Sequence, residues 1–145
     1  MPYKNPLPVA VAMVPVMHDG RLRLFGIVRG HEPGTGLIAL PGGYVDELES
    51  IEEGVSRELD EEAHILYAPD RWKLLYSAVT PQNRVLVFCV LDHVVTGDIV
   101  KGRVSRCREV WDYCYIDQNT PLAFPLHEQA VERYYRNVAP ALRVA

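Results

Sequence analysis

The stretch S-I-E-E-G-V-S-R-E-L-D-E-E-A-H-I, residues 50–65, carries the strongest local signal in the chain. Ser50 followed by Glu53 has capping-box spacing, in which the serine oxygen and the glutamate carboxylate each accept from the other's backbone amide. Ile51, Val55, Leu59 and Ala63 recur every fourth residue and predict one apolar stripe. An amphipathic helix follows from these two features. Glu58, Glu61 and Glu62 stand at i, i+3 and i+4 and share a face beside that stripe. They occupy the helix's last turns, where its dipole already presents negative charge. Like charges at this spacing cost about 0.2–0.5 kcal/mol, and the dipole adds about 0.3–1 kcal/mol.

Two readings fit such a cluster. One is a solvated acidic face; the other is a site for a hard divalent cation such as Mg²⁺ or Mn²⁺, which carboxylate oxygens suit. Geometry alone weighs them evenly. Arg57, four residues before Glu61, is spaced to pair with a carboxylate, and a purely structural ion pair has the same spacing. Gly54 lies one turn before Glu58 and costs about 0.8–1 kcal/mol relative to alanine. It is expected to leave room beside the carboxylates for a ligand or a close backbone. Asp60 points to another face, toward solvent.

Outward from the helix, alternation and turn residues predict strands. Val9 to Met17 reads as one buried strand, with Pro15 marking an edge or bulge. H-D-G at 18–20 is a hairpin turn and Leu22 to Arg29 the returning strand. Residues 30–36, G-H-E-P-G-T-G, form a glycine- and proline-rich loop, followed by a short apolar run from Leu37 to Leu40. Trp72 to Val79, Val85 to Leu91 and Val110 to Ile116 read as strands. His127 to Val138 reads as a closing helix before Pro140. Strands on both sides of a helix, with a second helix at the end, predict an α/β domain with a mixed sheet layered between helices.

The chain has 145 residues and a formal net charge of -4, which suit one domain with a real core and no broad nucleic-acid surface. Cys89, Cys107 and Cys114 are odd in number and lack CxxC spacing, which suits a reducing compartment. The run from Pro8 to Met17 is too short to span a bilayer, and its flanks do not suit a signal peptide. A cytoplasmic protein without a membrane partner is expected. His18, His31, His93 and His127 are scattered and show no metal-ligand spacing.

Residues 43–65, G-Y-V-D-E-L-E-S-I-E-E-G-V-S-R-E-L-D-E-E-A-H-I, resemble the Nudix box. That pattern is a glycine, five residues, Glu, seven residues, then R-E-U-x-E-E-x-G-U, with U a bulky aliphatic residue. Gly43, Glu49, Arg57, Glu58, Leu59, Glu61, Glu62 and Ile65 fall in register, and His64 replaces the second glycine. The lead-in A-L-P-G-G, residues 39–43, also resembles the family's. N-P-L-P-V-A-V-A-M-V-P-V near the start and P-L-A-F-P-L-H at 121–127 are similar to members related to NADH and ADP-ribose pyrophosphatases.

The resemblance implies the Nudix fold, an α/β/α sandwich around a central mixed sheet. It implies hydrolysis of a nucleoside diphosphate linked to another moiety, with Mg²⁺ or Mn²⁺. It assigns metal ligation to Glu58, Glu61 and Glu62, with the Gly43 carbonyl assisting and Glu49 as an auxiliary or orienting carboxylate. Arg57 would hold a box glutamate in position, and Glu58 or Glu61 would act as general base. A further acidic ligand comes from Glu109 or Asp112, with Glu109 preferred. Family habit allows a homodimer.

The S-Q-P-W-P-x-P-x-S array of NADH pyrophosphatases is not matched by S-A-V-T-P-Q-N-R at 77–84, and no zinc-ribbon cysteines precede the domain. Pro81 stands near the proline that marks many ADP-ribose pyrophosphatases. Arg29, Gln82, Asn83 and Arg84 are candidates for phosphate or ribose contacts, and Phe25 or Tyr76 for base stacking; packing is the rival role for each. Other functions kept open are a house-cleaning nucleoside triphosphate pyrophosphohydrolase, a weakly catalytic nucleotide-binding regulator, and a structural domain with an incidental acidic helix. His64 is expected to be a tolerated helix-end residue at positive φ, with a substrate contact as the alternative.

Overall fold

A computed structural model describes residues 4–96 and 109–142. Its strands are β1 (Leu7–Met13), β2 (Pro15–His18), β3 (Arg21–Arg29), β4 (Ile38–Ala39), β5 (Gly42–Tyr44), β6 (Trp72–Val79), β7 (Arg84–Leu91), β8 (Val95–Thr96) and β9 (Val110–Ile116). Helix α1 spans Ile51–Ala63 and α2 spans Pro125–Arg133; a π-helical turn, Tyr134–Val138, leads into the short α3, Ala139–Leu142.

The valine-rich start differs from the single strand that its composition suggests. It is two strands in two mixed sheets, broken at Val14. β1 lies between antiparallel β5 and parallel β7 in the order β5-β1-β7-β6. β2 lies between β3 and β8 in the order β4-β3-β2-β8, with β9 also paired to β3. Pro15 has no N–H to continue a ladder and stands where the chain changes sheets. The hairpin turn is as expected, with Asp19 and Gly20 both at positive φ.

The break does not interrupt the alternation of side chains. Ala10, Ala12, Val14 and Val16 enter one core cluster with Val55, Leu59 and Ala63 of α1. Val11 and Met13 enter a second with Ala130 and Val131 of α2 and Tyr134. The chain's first strands are thus covered on both faces, which is why they read as a nearly continuous apolar run. This is the α/β layering expected from the pattern.

The closing helix starts two residues earlier than predicted, because Pro125 takes its first turn, where a missing N–H costs no helix bond. Pro140 does not end it either. The π turn, whose last bond runs from the Ala139 amide to the Tyr134 carbonyl, shifts the ladder before Pro140 and lets the chain stay helical. Among the described residues no helix is long and apolar enough to cross a membrane. Cys89 and Cys114 are free thiols, pushed up to about 12 and about 11 by burial. Cys107 lies outside the described residues.

One buried contact joins α2 to the segment that leads into the acidic helix. The Leu40 amide donates to Nδ1 of His127, 3.2 Å away, and the ring is held edge-on by Phe88 and Phe124. Burial, with the charge of Arg29, pushes the imidazole down to about 3, so it folds neutral. The unfolded chain binds its proton near pH 6.5, so stability falls as pH drops below that value. His127→Gln is expected to flatten the stability–pH slope between pH 6.5 and 5 by about 1 kcal/mol per unit. Urea unfolding at three pH values checks this; equal slopes for both proteins would refute it.

Candidate active site

Helix α1 begins as its sequence dictates. Ser50 Oγ accepts from the Glu53 amide at 3.1 Å, and Glu53 accepts from the Ser50 amide at 2.9 Å. The helix ends at His64, which has φ 56° and ψ 33° and donates its amide to the Asp60 carbonyl. That is the left-handed cap expected of a residue in the family glycine's place. Ser56 then ties the following chain, donating to the Tyr67 carbonyl at 2.7 Å and accepting from the Trp72 indole at 2.9 Å.

Around this helix the guanidinium of Arg57 uses all five N–H donors. Nε donates to Glu49 at 2.8 Å; Nη2 donates to Glu49 at 3.0 Å and to the Tyr44 carbonyl at 2.9 Å. Nη1 donates to Glu58 at 3.0 Å and to Glu61 at 3.1 Å. Asp46, which the sequence reading did not single out, is 3.2 Å from Nε. The hydrogen bond from Arg57 holds the Glu49 carboxyl below its ordinary range.

The three helix glutamates are not equivalent. Glu62 is buried at 7% exposure and accepts from the Gly42 amide at 3.0 Å. Burial raises its carboxyl well above the ordinary value, and the neighbouring Glu58 adds to this. Glu58 is raised as well, chiefly by burial and against the pull of Arg57. Each carboxyl acts on the other, a cost that a shared proton or a cation between them would relieve. Glu61 is 57% exposed and points to Arg57. Among the described residues no three acidic, His or Cys side chains already converge on one metal position.

Gly43 lies against the Glu58 carboxyl, and a Cβ there would collide with it. Of the two parts expected for Gly54, close packing is the one seen. It is buried, and a Cβ there would meet Glu49 Oε1 at 3.1 Å, then Val45 and Ala10, so its missing side chain makes room for the Glu49 carboxylate and the packed segments beside it. The all-oxygen donors, the close approach of Gly43 to Glu58 and a buried Glu62 beside a part-buried Glu58 suit a hard divalent cation, which Glu58, Glu61 and Glu62 could hold.

The remaining candidates fall in different places. Glu109 is exposed, and its charge acts on Glu62 and on Arg29. Asp112 lies farther along β9, accepts from the Tyr113 amide, and its charge acts on Cys114. Arg29 rests over the Phe124 ring, 5.0 Å from its centroid, and donates to the Pro33 carbonyl. Burial lowers its guanidinium against the opposing charges of Glu62, Glu32 and Glu109. Arg84 donates to the Tyr44 hydroxyl at 2.9 Å and to the Gln82 carbonyl. It therefore reaches Arg57 through one residue.

The structure does not bring the others there. Asn83 is a turn residue at φ 60° whose carbonyl accepts from the Leu7 amide. Tyr76 stacks on Phe88 in the second core cluster and donates to Gln129 of α2, on the face away from α1. Phe25 is buried against Tyr113. Phe124 and Tyr44 were missed, since an aromatic residue in a proline- or glycine-flanked segment carries no spacing signal.

The sequence pattern of the NUDIX domain matches residues 6–136. The chain belongs to the Nudix family. This Nudix hydrolase is 31% identical over 138 residues to an ADP-ribose pyrophosphatase of Methanocaldococcus jannaschii, covering 92% of this chain and 78% of the relative. The Nudix domain of Shewanella oneidensis NrtR, solved in complex with ADP ribose, superposes with a TM-score of 0.75 at 24% identity, covering 94% of this chain and 90% of that one. A mutT/nudix family protein of Listeria innocua has the same TM-score at 19% identity, covering 99% and 100% of the two chains. The Nudix fold inferred from residues 43–65 is therefore the fold of the chain.

Two substitutions separate the roles within the Nudix box. Gly43→Ala is expected to lower hydrolysis at least tenfold by displacing Glu58, with a stability loss of about 1.5 kcal/mol or less. Steady-state rates and thermal unfolding of one preparation check it. His64→Gly is expected to gain about 1 kcal/mol of stability by relieving the left-handed φ. Its turnover should be unchanged; lost activity would give His64 a role beyond the cap.

Proposed function

We propose that this Nudix hydrolase cleaves the diphosphate of ADP-ribose or a similar nucleoside diphosphate linked to another moiety, with Mg²⁺ or Mn²⁺ as cofactor. The observation that carries the reaction class is the buried Glu58–Glu62 pair, set beside Gly43 and joined through Arg57 to Glu49 and Glu61. The substrate class is supported by the ADP-ribose pyrophosphatase relative. NADH is kept as a second substrate of the same type.

A bound divalent cation would neutralise the diphosphate and make a water acidic enough to serve as nucleophile. Glu58, Glu61 and Glu62 would hold it, with the Gly43 carbonyl and Glu109 assisting. Glu58 or Glu61 takes the water's proton as its oxygen bonds to phosphorus. The P–O–P bond breaks, leaving two phosphate monoesters. Arg57 orients Glu58 and Glu61 while Glu49 orients Arg57. Arg29 and Arg84, the cations bordering this region, bind the substrate's phosphates.

A panel of ADP-ribose, NADH and deoxynucleoside triphosphates with Mg²⁺ or Mn²⁺ tests the reading. ADP-ribose is expected to give the highest kcat/KM, and Glu58→Gln to lower it at least about a hundredfold. Preference for the triphosphates would move the enzyme to the house-cleaning type. Tight ADP-ribose binding without turnover would make it a regulator.

A further inference from the structure

Resting on the divalent-cation reading above, we infer that Arg57 restrains cation binding as well as orienting carboxylates. Nη1 of Arg57 donates to both Glu58 and Glu61, so a built-in positive charge already holds two of the expected ligands. Glu61 is the less enclosed of the two: its side chain is 57% exposed, with its carboxylate on Arg57, whereas the Glu58 side chain is 14% exposed. Glu61 must therefore leave Nη1, or share its carboxylate with it, to serve as a cation ligand.

The guanidinium itself cannot follow. Its other three N–H bonds go to Glu49 and the Tyr44 carbonyl, outside the helix, and they do not depend on where Glu61 points. A fixed unit charge consequently remains beside the site when a dication arrives and repels it. The consequence is opposite in sign to pure orientation. Removing an orienting residue weakens cation binding; removing a restraining charge tightens it.

Mn²⁺ titration followed by the electron paramagnetic resonance of the free ion, without substrate, reads this directly. Arg57→Gln is expected to bind Mn²⁺ about tenfold more tightly, the scale of removing one screened charge from beside a dication. Arg57→Lys, which keeps the charge but cannot span Glu49 and both helix carboxylates, should gain by a smaller factor, and Arg57→Met serves as the charge-removing variant if the glutamine variant does not fold. In a double-mutant cycle, the gain from Arg57→Gln should shrink when Glu61→Gln is already present. Unchanged or weaker Mn²⁺ affinity in the folded charge-removing variant overturns the restraint and leaves the cation site standing. Absence of Mn²⁺ binding by the unmutated protein would instead defeat the cation reading, and the restraint with it.

Discussion

One guanidinium joins three parts of the chain that lie apart in sequence. Arg57 bonds Glu49 in the loop before α1, the Tyr44 carbonyl at the end of β5, the adjacent Glu58, and Glu61 one turn on. A lysine could not do this, because the work depends on five donors in one rigid plane. Strand β5, the loop and the helix are thereby held in a single arrangement. The acidic face can then carry more charge than the helix alone would favour.

The burial of Glu62 follows from that arrangement. A carboxyl beneath the helix, bonded to the Gly42 amide and beside a second carboxyl, is unfavourable as a charge and acceptable only when protonated or matched by a cation. The same positioning explains why glycine stands at 43: any side chain there would displace Glu58. The site's chemistry and the helix's local cost therefore have one origin, carboxylates packed together at the end of a helix.

Much of this was legible in residues 43–65, because capping, apolar period and acidic spacing are local and agree with one another. The capping box, the stripe on the core and the left-handed cap at His64 all appear where the spacing puts them. The division of the first strand at Val14 was not legible, since Val9 to Met17 is equally apolar on both sides of the break. Gly54 stays open in sequence for a related reason: a helix glycine has the same signature whether it faces a ligand or a close neighbour. The candidates Tyr76 and Asn83 were chosen by side-chain type, and type alone cannot tell a stacking ring at a site from one packed on Phe88.

The sequence by itself determined the helix, its acidic face and the Nudix family, because each rests on spacing within one continuous segment. Only the tertiary structure decided that Glu62 is buried while Glu61 is exposed, though the two are neighbours on the same helix face. It alone decided that Arg57 closes on Glu49 and Tyr44, and that the charge of Glu109 reaches Glu62. The physical reason is that burial and charge coupling depend on what packs across from a residue. Those partners come from β5 and β9, whose distance along the chain carries no trace of the contact.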